Sequence, residues 1–127
     1  MVIDSSALIR DEPGAEVVQR QIERSVLILS SVNFAEVKGK LVGNGLYTPQ
    51  SVDEAINAFG RALEIVSFDL EQSNLAAFWY ARRNAYNLSL GDCACLALAE
   101  AKGEPCLTAE RAWAELPNLR VKLELIR

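Results

Sequence analysis

Met1-Val2-Ile3-Asp4-Ser5-Ser6-Ala7-Leu8 is the stretch that decides the fold. A short apolar run reads as a buried strand, it stops at an aspartate, and small hydroxyl residues follow at once. A carboxylate at the end of a buried strand is costly to desolvate unless a cation or several donors meet it. In an open α/β sheet, the carboxyl ends of the strands are also where ligands bind. Asp4 is therefore the residue against which the rest of the chain is tested.

Working outward, strands and helices alternate. Pro13 opens a helix running to about Arg24, with Val17, Val18 and Ile22 on its inner side. Val26-Leu27-Ile28-Leu29 is continuously apolar, which suits a parallel strand covered on both faces. Ser30 and Ser31 cap a helix that reaches the stop signal Gly43-Asn44-Gly45. Thr48-Pro49 opens another, through Ala55, Ile56, Phe59 and Leu63, and Glu64 to Phe68 reads as a third strand. Asp69 caps a long helix carrying Leu70, Leu75, Ala77, Phe78 and Ala81 at helical spacing. Ser89-Leu90-Gly91-Asp92 starts a helix that is apolar nearly all round, so it belongs at the centre. Gly103 ends it, Pro105 to Thr108 is a fourth strand, and Val121 to Ile126 a candidate fifth. The pattern predicts one domain over residues 1–127, of α/β class, with a mostly parallel sheet of four to five strands and helices on both faces.

Composition narrows the chemistry. With 50% hydrophobic and 24% charged residues, the chain can bury a core without disulfides or metal staples and is not disordered. Its longest apolar run, Cys93 to Ala99, falls far short of the roughly 20 residues that span a bilayer. No basic-then-apolar leader precedes Val2, so the expected compartment is the cytoplasm, with no membrane partner. Cys93, Cys95 and Cys106 read as small buried hydrophobes; the first two, two apart on a helix, cannot share a ligand. There is no histidine, which excludes Ser-His-Asp, Cys-His and histidine acid–base catalysis. Carboxylates, a metal or a lysine are left. The net charge of −4 argues against a simple basic nucleic-acid binder. Neutralising four clustered acids would bring that charge to zero, so it does not decide the matter.

Four acids stand out, and each has an ordinary reading alone. Asp4 can cap the turn through Ser5 and Ser6. Glu36 lies off the Phe34, Val37 and Leu41 stripe, with Lys40 four residues on, as in a surface ion pair. Asp92 completes a capping box with Ser89, and Glu110 follows Thr108 as a first-turn acid. Their joint placement says more. In a right-handed parallel sheet, the strand ends that carry them face one edge. Carboxylates converging there repel one another unless cations neutralise them, and an all-oxygen set suits Mg²⁺ or Mn²⁺.

Four stretches together carry a resemblance: Val2 to Leu8; Ser31-Val32-Asn33-Phe34-Ala35-Glu36-Val37; Leu88-Ser89-Leu90-Gly91-Asp92 through Ala97-Leu98-Ala99; and Leu107 to Trp113. In order and spacing the chain resembles the PIN-domain ribonucleases, and within them the VapC-type toxins of bacterial and archaeal toxin–antitoxin pairs. That resemblance implies a three-layer α/β/α fold and an acidic pocket holding Mg²⁺ or Mn²⁺. Asp4, Glu36 and Asp92 match the family's metal-binding acids, and Ser6, Asn33 and Thr108 match polar positions that support the pocket. Glu110 stands where the family usually has aspartate, and is expected to reach the metal as a fourth catalytic acid, directly or through water. The implied reaction is hydrolysis of an RNA phosphodiester, transfer RNA being one candidate substrate, by a metal-bound water, leaving a 5′-phosphate and a 3′-hydroxyl. Basic residues must offset the acidic pocket, and Arg10, Lys38, Lys40, Arg82, Arg83 and Arg111 are the candidates. Trp79, Tyr80 and Trp113 read as core or interface residues. The resemblance also implies a homodimer and a cognate antitoxin laid over a groove, for which Val42, Leu46, Tyr47 and Phe59 supply an apolar lining. The rival readings are a PIN-like binding module with a defective pocket, a phospho-receiver using Asp69, and a DNA 5′-nuclease.

Overall fold

The computed structural model describes residues 1–8 and 26–126; the helix expected over 13–24, and Arg10, lie outside the described residues. Five strands form one parallel sheet: β1 (Val2–Ile3), β2 (Leu27–Ser30), β3 (Leu63–Val66), β4 (Cys106–Thr108) and β5 (Leu123–Leu125). Their spatial order is β3-β2-β1-β4-β5. The chain steps outward from β1 on one side, then crosses back to add β4 on the other. The switch point between β1 and β4 leaves a crevice at the carboxyl edge, where open α/β sheets bind ligands.

The β1 pairing shows how so short a strand holds its place. Val2 is in register with Ile28 on one side and Cys106 on the other, and Ile3 with Leu107. Side chains alternate between faces. Val2 and Cys106 belong to one core cluster, and Ile3, Leu27, Leu29, Leu63 and Leu107 to the other. The short α1 (Ser5–Leu8), α2 (Ser31–Gly43) and α3 (Pro49–Asn57) supply the second cluster's cover through Ala7, Leu8, Phe34 and Ile56. The first cluster is covered by α4 (Leu70–Tyr80) and α6 (Leu90–Lys102), with the short α5 (Arg83–Tyr86) between them in sequence. These are the three layers of an α/β/α sandwich. Cys93 to Ala99 is buried without a break, as an all-round apolar helix requires. All three cysteines are buried and free, and Cys95 Sγ lies 3.3 Å from Cys106 Sγ, a pairing that spacing alone does not reveal. Among the described residues no helix is long and apolar enough to cross a membrane.

The helix caps fall where the sequence places them. Ser30 Oγ accepts from the Val32 N–H, Asp69 Oδ1 from the Gln72 N–H, and Thr48 and Ser51 form a reciprocal capping box. One boundary differs. The helix expected through Leu63 stops at Asn57; a 3₁₀ turn, Gly60–Ala62, follows, and Leu63 begins β3. Gly60 takes a left-handed φ of 56°, which breaks the helix at little cost. Ile56, Phe59 and Leu63 still reach one core cluster, so their spacing imitates a helix across a turn and a strand.

Candidate active site

Asp4 emerges directly from β1, its N–H donating 2.9 Å to the Leu107 carbonyl of β4. It is only 2% exposed. Its Oδ2 accepts from Ser6 Oγ and, at 2.9 Å, from Thr108 Oγ1. Burial raises its pKa most; the two hydroxyls pull it back, the charges of Asp92 and Glu110 push it further, and it settles at about 6. The same hydroxyls anchor the loop after β4: Ser6 Oγ accepts from the Ala109 N–H and Thr108 Oγ1 from the Glu110 N–H. Ser6 and Thr108 thus join the ends of β1 and β4 around one carboxylate.

Glu36 sits one to two turns into α2. Its Oε1 accepts from Ser5 Oγ at 3.0 Å and from Asn33 Nδ2 at 3.1 Å. Asn33 is wholly buried, and its Nδ2 also lies 3.0 Å from Ser5 Oγ and 3.0 Å from the Gly91 carbonyl. One amide nitrogen therefore ties α1, α2 and the start of α6 together, while Asn33 Oδ1 has no partner among the described residues. A buried acceptor left unpaired costs about 1–3 kcal/mol. Gly91 makes the close approach feasible, because a Cβ there would overlap the Glu36 carboxylate.

Asp92 performs the ordinary task and still faces the cleft. Its Oδ2 accepts from the Ser89 N–H at 2.8 Å, and its own N–H donates to Ser89 Oγ, the reciprocal capping box of α6. Burial raises its pKa; Ser89 lowers it, Glu36 raises it and Lys40 lowers it. Glu110 is exposed at the head of the 3₁₀ turn Arg111–Glu115, and its carboxylate makes no hydrogen bond among the described residues.

All four acids line one cleft of about 360 Å³ at the carboxyl edge of the sheet. Of the polar supports, Ser6 lines it, while Asn33 and Thr108 are buried outside the lining. Of the six candidate cations, Lys40 alone among the described ones lines it. Lys38 pairs with Asp53 at 2.8 Å; Arg82 and Arg83 lie over the rings of Phe78 and Tyr80 at 3.8 and 4.3 Å. Arg111 is exposed on the turn beside the cleft. The sequence reading missed Ser5 as a Glu36 donor, and missed the wall made by Tyr86, Asn87, Ser89, Ala112 and Trp113. Trp113 is both core and wall, being buried and lining the cleft.

Among the described residues no three acids or thiols are disposed to hold an ion jointly. The donor set nonetheless fits Mg²⁺ or Mn²⁺. Every donor is an oxygen, and Asp4, Glu36 and Asp92 each keep one carboxylate oxygen without a hydrogen bond among the described residues. Mg²⁺ retains several of its waters and commonly takes only one or two carboxylates directly.

The family model for the PIN domain matches residues 1–119. No curated protein matches the chain. Among solved structures, a chain of VapBC2 from Rickettsia felis, bound to a DNA fragment from the promoter, superposes with a TM-score of 0.74 at 12% identity, covering 99% of this chain and 98% of that one. VapC20 of Mycobacterium tuberculosis, described as a sarcin-ricin loop cleaving toxin, gives 0.68 at 15% identity, covering 95% and 98%. A chain of the DNA-bound VapBC of Salmonella typhimurium gives 0.67 at 15%, covering 97% and 95%. At these identities the superpositions speak for the fold, and the family match reaches over nearly the whole sequence, through Asp4, Glu36, Asp92 and Glu110: the chain belongs to the PIN domain family.

Proposed function

We propose that this protein is a Mg²⁺- or Mn²⁺-dependent endoribonuclease, acting in the cytoplasm as the toxin of a toxin–antitoxin pair. The observation that carries the reading is the convergence of Asp4, Glu36, Asp92 and Glu110 on one cleft at the switch point of the sheet. The structural neighbours, which include a member of the VapBC family of toxin–antitoxin systems and a sarcin-ricin loop cleaving VapC toxin, support it.

Asp4, Glu36 and Asp92 would hold the ion. When bound, it supplies Lewis acidity toward a phosphoryl oxygen and lowers the pKa of water, so hydrolysis proceeds at neutral pH without histidine. The protein's own part is positional. Ser6 and Thr108 fix the Asp4 carboxylate, and Ser5 and Asn33 fix that of Glu36. Glu110, free of hydrogen bonds among the described residues, is the acid available to orient the attacking water. Lys40 offsets the acids and meets the backbone of the RNA, with Arg111 at the rim. The products are a 5′-phosphate and a 3′-hydroxyl.

The cognate antitoxin docks on the helices from α2 to α3. Leu46 is 80% exposed and Tyr47 is exposed beside it, an apolar surface with no cover among the described residues. Leu46→Asp should weaken antitoxin binding at least tenfold by titration; unchanged affinity would move the groove elsewhere. The active species is a homodimer. The competing reading, a PIN-like binding module without catalysis, draws on the exposed and unpartnered Glu110. The deciding experiment is cleavage of end-labelled transfer RNA by antitoxin-free protein in Mg²⁺ or Mn²⁺ against EDTA, with Asp4→Asn alongside. Discrete cuts that need the metal and vanish in the variant are expected. No cutting across a broad RNA set would favour the binding module.

A further inference from the structure

One wall of the cleft takes part in holding the acids only through Ser89, which caps Asp92, among the described residues. It begins at α5 and continues along the link into α6. Leu88 is buried in the core, while Asn87 and Ser89 on either side of it line the cleft. Tyr86, the last residue of α5, lines it too. Its ring is braced edge to face by the buried Trp79, with centroids 6.5 Å apart and planes at 76°. Trp79 is held in turn against Phe78 in the same manner, so the Tyr86 ring is positioned from behind.

Asn87 is the more informative residue. Its backbone is left-handed, at φ 54° and ψ 49°, and its N–H donates to the Arg83 carbonyl to close α5. Glycine is the usual residue for such a closure and asparagine the less common one. What asparagine adds is a primary amide, and here Asn87 lines the cleft with its side chain making no hydrogen bond to any described residue. An aromatic ring next to a free amide is how single-stranded RNA is read: the base stacks on the ring and presents its edge to the amide. A volume of about 360 Å³ suits one nucleotide unit.

We propose that Tyr86 and Asn87 form a subsite for one unpaired nucleobase next to the scissile phosphate, and that this corner sets which base flanks the cut. The proposal rests on the ribonuclease reading above. Tyr86 supplies the stacking face, and the Asn87 amide, with one acceptor and a pair of donors, selects the edge. Asn87→Gly is the discriminating variant, because it keeps the left-handed cap and removes only the amide.

The test has two arms. In the first, wild-type protein and Asn87→Gly cut a random-sequence RNA pool, and the ends are sequenced. The wild type should favour one base beside the cut by about tenfold or more, the size of a good amide–base contact. Asn87→Gly should flatten that preference while retaining its melting temperature. In the second arm, Asp4→Asn protein, with and without Asn87→Gly, is titrated with homopolymeric RNA hexamers. Its affinities should differ by base, and the difference should vanish without the amide. A preference that survives Asn87→Gly in either arm, or no base preference in either arm, overturns the subsite. Base-selective binding that depends on Asn87, with no cutting by the wild type, would uphold the subsite and overturn the nuclease reading instead.

Discussion

The two walls of the cleft are built on opposite rules. On the β1–α2 side nearly every polar group is spoken for: Asp4 by two hydroxyls, Glu36 by a hydroxyl and a buried amide, and that amide by three acceptors. On the side of α5 and the 3₁₀ turn, Asn87 and Glu110 are exposed and their side chains make no hydrogen bonds among the described residues. A wall that must present charge at fixed positions is locked by packing and donors. A wall that meets variable parts of a substrate is left open to it. Substitutions on the first should therefore act on turnover and folding together, and those on the second on substrate choice with little effect on stability.

The sharpest break of this contrast is at Asp4. Asp4→Asn should lower metal-dependent RNA cleavage at least a thousandfold, the scale expected when a charged ligand of a catalytic ion is lost. The same change should stabilise the metal-free protein at neutral pH. The carboxyl's pKa is raised from 3.8 to about 6, so between these values the folded state binds more protons than the unfolded one. Stability from this group is thus unaffected below 3.8, falls as pH rises through the window, and is lowest above 6. The loss is about 3 kcal/mol by the usual conversion of a pKa shift. Urea unfolding in EDTA at several pH values checks this: the wild type should lose stability across the window, and Asp4→Asn should be much flatter. Parallel curves for the two proteins would refute the assignment.

Gly91→Ala comes next. The new Cβ must displace the Glu36 carboxylate, so cleavage should fall by about a hundredfold, the cost of misplacing a catalytic group by roughly an ångström. A melting temperature that drops while cleavage holds would mean Glu36 is not needed in its present place. Lys40→Ala should weaken RNA binding by Asp4→Asn protein and reduce the slope of log affinity against log salt by about one, as expected for one lost phosphate contact. Lys38→Ala, already paired with Asp53 outside the cleft lining, should leave that slope unchanged. The smallest effect belongs to the open wall. Glu110→Gln should lower kcat by about tenfold, below the general-base range because the side chain only orients the water, with Glu110→Asp close to wild type. Loss as deep as that of Asp4→Asn would move Glu110 among the ion's principal ligands.

The layout of the acids was legible because strand direction alone dictates it. Asp4 ends β1 and Glu110 follows β4, and in a parallel sheet both must emerge at one edge. Among the basic candidates Arg111, next to Glu110, reads as the foremost in the sequence, whereas the cleft is lined by Lys40, which shares the helix face of Glu36 four residues on. The Asn33 network was not legible, since it depends on how closely α2 and α6 approach at Gly91, a distance that no local pattern encodes. Tyr86 and Asn87 were missed for another reason. The apolar spacing of α4 runs on through Ala81, and nothing periodic marks a four-residue helix closed by a left-handed asparagine. Leu63 shows the converse, a helical spacing produced by a turn and a strand that share a core.

The bond from Thr108 to Asp4 joins residues 104 positions apart, and β1 has β4 as one of its two neighbours. On a ribosome, β1 waits for its partner until the 104 residues from Asp4 to Thr108 have been added. Until Thr108 has left the exit tunnel, Asp4 has neither its hydroxyl nor the loop that carries Glu110. Contacts this distant in sequence also form late in refolding. If the ribonuclease reading holds, a copy that stops short of β4 is harmless to the cell translating it, and an antitoxin is needed only from the moment Thr108 and Glu110 reach Asp4.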